Sequence, residues 1–429
     1  MKLLLSLLLL FLITSFEMGT FNVFFGSQVH NSIIVLCAGI VAFFWLARLS
    51  KNGLIQNFGL FEATEFRYFL FFSAVSAVYF IVHAFIVGPS TGVKYSAYLF
   101  LFFVLISQIK RNDFDKLVFI YLCLMALLAA MSVLQVILVA ISGLSADQFD
   151  SIKHIEDKFF QDIDYVMPFL LGYMSVEEGV TFGPLNFVRS IGFSSEPKYF
   201  SVLLWVALAV CLGWTSVRSR KVLFLMKMLL VLGLFFSHAY SSLLVIVFAL
   251  AFSLFLRITP FGDKINALLI ITTPLILITV VSGVMEVLLS IVYSDFVASR
   301  VSSFLHSTSS MDVSSISQFK LMGENVGEES SQIVTVTVLQ NWFRLGHLGV
   351  AMYYPLILFV VYKSISNYKY LKSNRKLSFV LLLAVYVVYY QIFFGQPYTL
   401  LSIFILVILY NRSKSTVRFM RENSPGISS

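Results

Sequence analysis

The chain has 429 residues, of which 59% are hydrophobic and 12% charged, with a mean hydropathy of +0.89, whereas a soluble domain carries about 25% charged residues. That composition excludes water as the main solvent, and runs of about 20 mostly apolar residues, the length that spans a bilayer, recur along almost the whole sequence. The formal charge of +8 would suit nucleic acid in a soluble protein, but in a membrane protein Lys and Arg gather in cytoplasmic loops and set orientation, so no nucleic-acid partner is expected.

In chain order, Lys2 and the apolar run to Phe16 resemble a signal peptide, but no small-x-small cleavage site precedes Glu17, and the run is expected to be a retained first helix. Helices are expected near 3–17, 31–47, 68–88, 95–109, 117–142, 198–214, 222–237, 241–256, 265–292, 342–362, 378–394 and 398–411. The apolar runs are continuous rather than alternating, which favours helices that satisfy their own backbone over a barrel. The expected fold is all-α and polytopic, about 12 transmembrane helices in one integral membrane domain over 1–429. Cys37, Cys123 and Cys211 all lie within apolar runs and read as small core residues rather than disulfide or metal partners.

Of the 30 Lys and Arg residues, 21 fall on one side of this arrangement, which places both termini in the cytoplasm. Two long connectors, 143–197 and 293–341, then fall on the outer side as periplasmic loops. In the first, 145–164 is acidic and polar, while 165–187 carries apolar patches with Gly172, Gly179, Gly183 and Pro184 and is expected to lie on or dip into the outer leaflet. The second is rich in serine, as at Ser302, Ser303, Ser307, Ser309 and Ser310, and reads as a mobile lid or a plain connector. The cytoplasmic connectors carry no Gly-rich phosphate loop, so chemistry is expected outside.

Outer loops of inner-membrane proteins are poor in arginine, which singles out Arg189, Arg300 and Arg344, each near an expected helix end. A guanidinium there suits bidentate contact with a phosphate; the plainer alternative is pairing with a carboxylate or a lipid headgroup. Arg189-Ser-Ile-Gly-Phe-Ser-Ser-Glu196-Pro197-Lys198-Tyr-Phe200 leads directly into the sixth helix. Ser194 or Ser195 suits a cap, and Glu196 with Pro197 suits the first turn. Glu196 therefore reads equally as a helix-start acid or as a base beside two cations. His238 and His347 read as structural; Lys227 and Glu286 fall inside expected helices, where an ionisable group is costly; and Glu177-Glu178 reads as a solvated face. No His/Cys/Asp/Glu spacing indicates a metal, and no cofactor is expected.

Arg189-x-x-Gly192-x-x-x-Glu196-Pro197-x-x-Phe200 resembles the Arg…Glu-Pro…Phe signature of O-antigen and exopolysaccharide polymerases of the Wzy type, within the O-antigen polymerase–ligase superfamily. Ser237-His-Ala-Tyr-Ser-Ser242 is similar to the Ser-rich turn after that motif helix, and Asn341-Trp-Phe-Arg344-Leu-Gly-His347-Leu-Gly349 to the segment closing the large outer loop. The related ligases show a His-Asn pair where this chain has Gln340-Asn341, which favours polymerase over ligase. The resemblance implies a GT-C-like membrane glycosyltransferase of the bacterial inner membrane, independent of metal and fed by undecaprenyl-diphosphate-linked oligosaccharide. Arg189, Arg300, Arg344 and Lys198 would hold the diphosphate, and Glu196 or His306 would act as base. A flippase and a chain-length regulator of the same pathway are the implied partners, beside membrane lipid. The alternatives are an O-antigen ligase and a transporter or flippase; the transporter would rely on mid-helix Lys227 and Glu286 instead.

Overall fold

The computed structural model describes residues 43, 71, 74–76, 78–79, 81–83, 85–86, 111–142, 151–155, 163–166, 173–182, 185–192, 197–213, 219–237, 346–349 and 351. These form helix α1 (Arg111–Ser142), strands β1 (Ser151–Ile155), β2 (Ile163–Val166), β3 (Tyr173–Phe182) and β4 (Leu185–Gly192), then helices α2 (Pro197–Gly213) and α3 (Arg220–Ser237). Short helical stretches also occur around 71–86 and 346–351. The helices expected near 3–17, 95–109, 241–256, 265–292, 378–394 and 398–411, and the loop 293–341, lie outside the described residues.

Helix α1 begins six residues before the expected 117, because hydropathy marks where the apolar run starts and not where helical hydrogen bonding starts. Its added turn is the polar stretch that precedes the apolar run. The segment Val118–Ser142 is long and apolar enough to cross a membrane. Its polarity is the reverse of a helix in water, which turns its polar face outward. Here Phe119, Leu127, Leu134, Ile137 and Ile141 are exposed, while Tyr121, Ser132 and Gln135 are buried. Helix α3 likewise exposes Phe224, Leu225, Met228, Val231 and Phe235.

Helix α2 is the centre of the described fold: every residue from Phe200 to Cys211 is buried. It starts at Pro197, whose missing N–H costs nothing in the first turn, and it packs against α1, α3 and β4. Ser219 opens α3 as its cap, accepting from the Val222 N–H at 3.4 Å. Where α1 and α3 meet, Gly233 leaves no room for a side chain: a Cβ there would stand 2.8 Å from Ala129 Cβ and 3.1 Å from Leu204 Cδ1. Small residues at such crossings let helix backbones close up, which is how helices gain packing in lipid. Cys123 is half-buried and Cys211 buried, both as free thiols.

The all-α expectation is corrected between α1 and α2: the long connector expected over 143–197 contains a four-stranded antiparallel sheet in the order β1-β2-β3-β4. Phe182 pairs with Leu185, so Gly183 and Pro184 are the whole connection between β3 and β4, as in a two-residue hairpin. The register shifts twice along this pair, between Tyr173 and Met174 and between Met174 and Gly179. Val166 of β2 and Met174 of β3 are buried in one cluster with Val136 and Val139 of α1, and Phe236 of α3 packs on it. Two apolar residues of 165–187, Val166 and Met174, thus bury against α1.

Candidate functional site

Four of the residues singled out as site candidates lie outside the described residues: Glu196, Arg300, His306 and Arg344. The other two are placed by their backbone. Arg189 is in β4 and Lys198 is the second residue of α2. The segment from Arg189 to Phe200 is therefore a strand-to-helix junction. Helix α2 begins at Pro197, and the expectation for Glu196 falls outside the described residues.

Both flanks of the junction are fixed by contacts of its own residues. Gly192 ends β4 with φ of 59°, a left-handed conformation that glycine adopts without steric cost. A Cβ added there would lie 2.6 Å from Phe200 Cε2. The ring of Phe200, itself 1% exposed, fills the space over Gly192 and closes the junction on itself. The chain thus leaves the strand and enters the helix with its two ends touching.

On the other side, β4 packs on α1. Ser132 Oγ donates to Ser190 Oγ at 2.6 Å, and neither serine is exposed. Tyr121 Oη donates to the Leu203 carbonyl oxygen at 2.8 Å, tying α1 to α2. Each polar group of α1 in these contacts is thereby satisfied inside the fold, as an apolar surround requires. Trp205, 9% exposed, has an indole N–H without a hydrogen-bond partner among the described residues.

A second grouping joins the stretches around 71–86 and 346–351. The Tyr79 phenol reaches the Gly349 backbone, and its ring lies 5.8 Å from that of His83, which is buried. Gly346 is buried with φ of 69°, and His347 beside it is exposed. Lys227 is half-buried in α3, and Glu286 lies outside the described residues. Among the described residues no group of three His, Cys, Asp or Glu side chains is placed to hold a metal ion.

Sequence reasoning missed Ser132, Ser190 and Tyr121. Serine and tyrosine within apolar runs carry no pattern that names a partner 58 or 82 positions away. The signal available was chemical: a hydroxyl in an apolar helix needs an acceptor. No protein-family model, no curated protein and no solved structure matches this chain.

Proposed function

We propose that this chain is a polysaccharide polymerase of the bacterial inner membrane, joining undecaprenyl-diphosphate-linked oligosaccharide repeats at the periplasmic face. The observation that carries the reading is the junction itself. Arg189, Gly192, Glu196, Pro197 and Phe200 are the residues that resemble the polymerase signature, and Gly192 and Phe200 are in contact where β4 meets α2. The contact of Gly192 with Phe200 supports reading this stretch as one local unit.

The chemistry asks for few parts. A sugar hydroxyl of one lipid-linked repeat attacks the anomeric carbon of the growing chain on another carrier. The new glycosidic C–O bond forms as the bond to the diphosphate breaks, and the hydroxyl proton passes to a base. Undecaprenyl diphosphate leaves with the bonding electrons, so cations that hold its phosphates stabilise the transition state. Arg189, Arg300, Arg344 and Lys198 fill that role, and Glu196 or His306 that of the base. The remaining requirement is alignment of two large substrates. The full arrangement of about 12 spans with both termini cytoplasmic belongs to the same proposal, as do a flippase and a chain-length regulator as partners.

The test is a surface-polysaccharide gel from the native host with and without the gene. Loss of the ladder, leaving one repeat on the lipid core, supports the polymerase. Polymer retained on its carrier with none on the core makes the chain a ligase. An unchanged profile overturns both.

A further inference from the structure

Serines in helices ordinarily donate to a carbonyl of their own helix. Ser142 and Ser237 do so, bonding Val139 O at 3.0 Å and Leu234 O at 2.8 Å. Ser132 instead sends its proton out of α1 to Ser190 Oγ in β4. The two oxygens are 2.6 Å apart and fully buried, so this bond replaces water contact for both groups and fixes one point of the strand against one point of the helix. The residue before Ser190 in that strand is Arg189.

The position of the contact along α1 matters as much as its existence. Ser132 precedes the last residue of α1 by ten positions, about 15 Å along the axis. It lies inside the segment long enough to cross a membrane, Val118–Ser142. The bond from Tyr121 to Leu203 shows that α2 also runs alongside the body of α1 rather than beyond its end. Non-helical backbone at that level is tolerated only where protein or a water-filled cavity covers it, and β4 is covered by α1, α2 and α3.

We infer that Ser132 is a positioning residue for Arg189: its hydrogen bond to Ser190 holds the end of β4 against α1, so that the backbone beside Arg189 keeps one place and one register. This rests on the polymerase reading for the role of Arg189. The pair fixes strand place and register; Gly192 under Phe200 fixes the turn that follows. A loss of the hydroxyl frees the strand to shift, and misplacement of a phosphate-holding group by about 1 Å costs on the order of a hundred-fold in rate.

The experiment uses the full chain in native-host membranes lacking the parental copy. Ser132→Cys with Ser190→Cys is expected to form an intramolecular disulfide on mild oxidation, since the parent oxygens are in contact. Ser132→Ala is expected to shorten the polysaccharide ladder severely at unchanged membrane abundance, with elongation slowed roughly ten- to a hundred-fold, while Ser132→Thr, which keeps the hydroxyl, restores it. Failure of the disulfide, or a normal ladder for Ser132→Ala when Arg189→Ala has none, overturns the positioning role and leaves the polymerase reading standing. A normal ladder for Arg189→Ala overturns that reading and the positioning role with it.

Discussion

Phe200 occupies the space that a side chain on Gly192 would need, with Cε2, Cζ and Cδ2 all within 3.0 Å of the position of a Cβ. Gly192 also has φ of +59°, so two penalties coincide in Gly192→Ala. The left-handed conformation costs roughly 1–2 kcal/mol for a residue with a Cβ, and overpacking against a buried ring adds about 1–3 kcal/mol. Expected is a clear drop in the thermal midpoint of the detergent-solubilised protein. Combining Gly192→Ala with Phe200→Leu should recover the packing part and leave the backbone part, so the two losses should not add.

The crossing of α1 and α3 should be as intolerant. A Cβ at Gly233 meets Ala129 Cβ at 2.8 Å and Ala129 Cα at 3.2 Å, and backbone cannot swing aside as a side-chain end does. Gly233→Val is expected to destabilise by about 2–3 kcal/mol through separation of the helices. Ala129→Gly in the same chain should return part of that loss. Thermal midpoints of the single and double variants check this directly, and additive losses would contradict a shared contact.

The helices were legible because an apolar run is visible without knowing its partners: 117–142, 198–214 and 222–237 became Arg111–Ser142, Pro197–Gly213 and Arg220–Ser237. The sheet was not, although its signals exist. Tyr173–Phe182 alternates in part and ends at a Gly-Pro turn before Leu185, a hairpin pattern. Those cues were outweighed by the polar tract 145–164, which reads as loop. Of the candidate site, the local part from Arg189 to Phe200 was readable because its residues are neighbours in sequence. The pins on α1 were not, since Ser132 and Tyr121 acquire meaning only from partners that the fold brings to them.

Tyr121 tests how much a buried hydroxyl contributes when its acceptor has another donor. The Leu203 carbonyl lies inside α2, where it serves the helix ladder, so Tyr121→Phe removes a bond without orphaning an acceptor. The expected cost is about 0.5–1.5 kcal/mol. Tyr121→Ala removes one of the largest fully buried side chains and should cost about 3–5 kcal/mol, as large aromatic truncations do. A thermal midpoint for Tyr121→Phe as low as for Tyr121→Ala would mean that the hydrogen bond, not the ring, holds α1 to α2.

The polymerase proposal makes its sharpest demand at Arg189. Arg189→Ala, Arg300→Ala and Glu196→Gln are each expected to abolish chain elongation while the protein remains inserted and abundant. Arg189→Lys separates charge from geometry. Lysine keeps the positive charge but presents a single ammonium, whereas guanidinium grips a phosphate through two parallel bonds. Because Arg189 sits in a strand fixed on one side by Ser190 and beyond it by Gly192, the backbone does not travel to shorten the reach of a different side chain. Elongation by Arg189→Lys is therefore expected to fall about ten-fold or more, read as a ladder collapsed toward single repeats at equal membrane abundance. A full-length ladder from Arg189→Lys would mean that charge alone suffices there. Full-length ladders from Arg189→Ala, Arg300→Ala and Glu196→Gln together would remove these residues from the site.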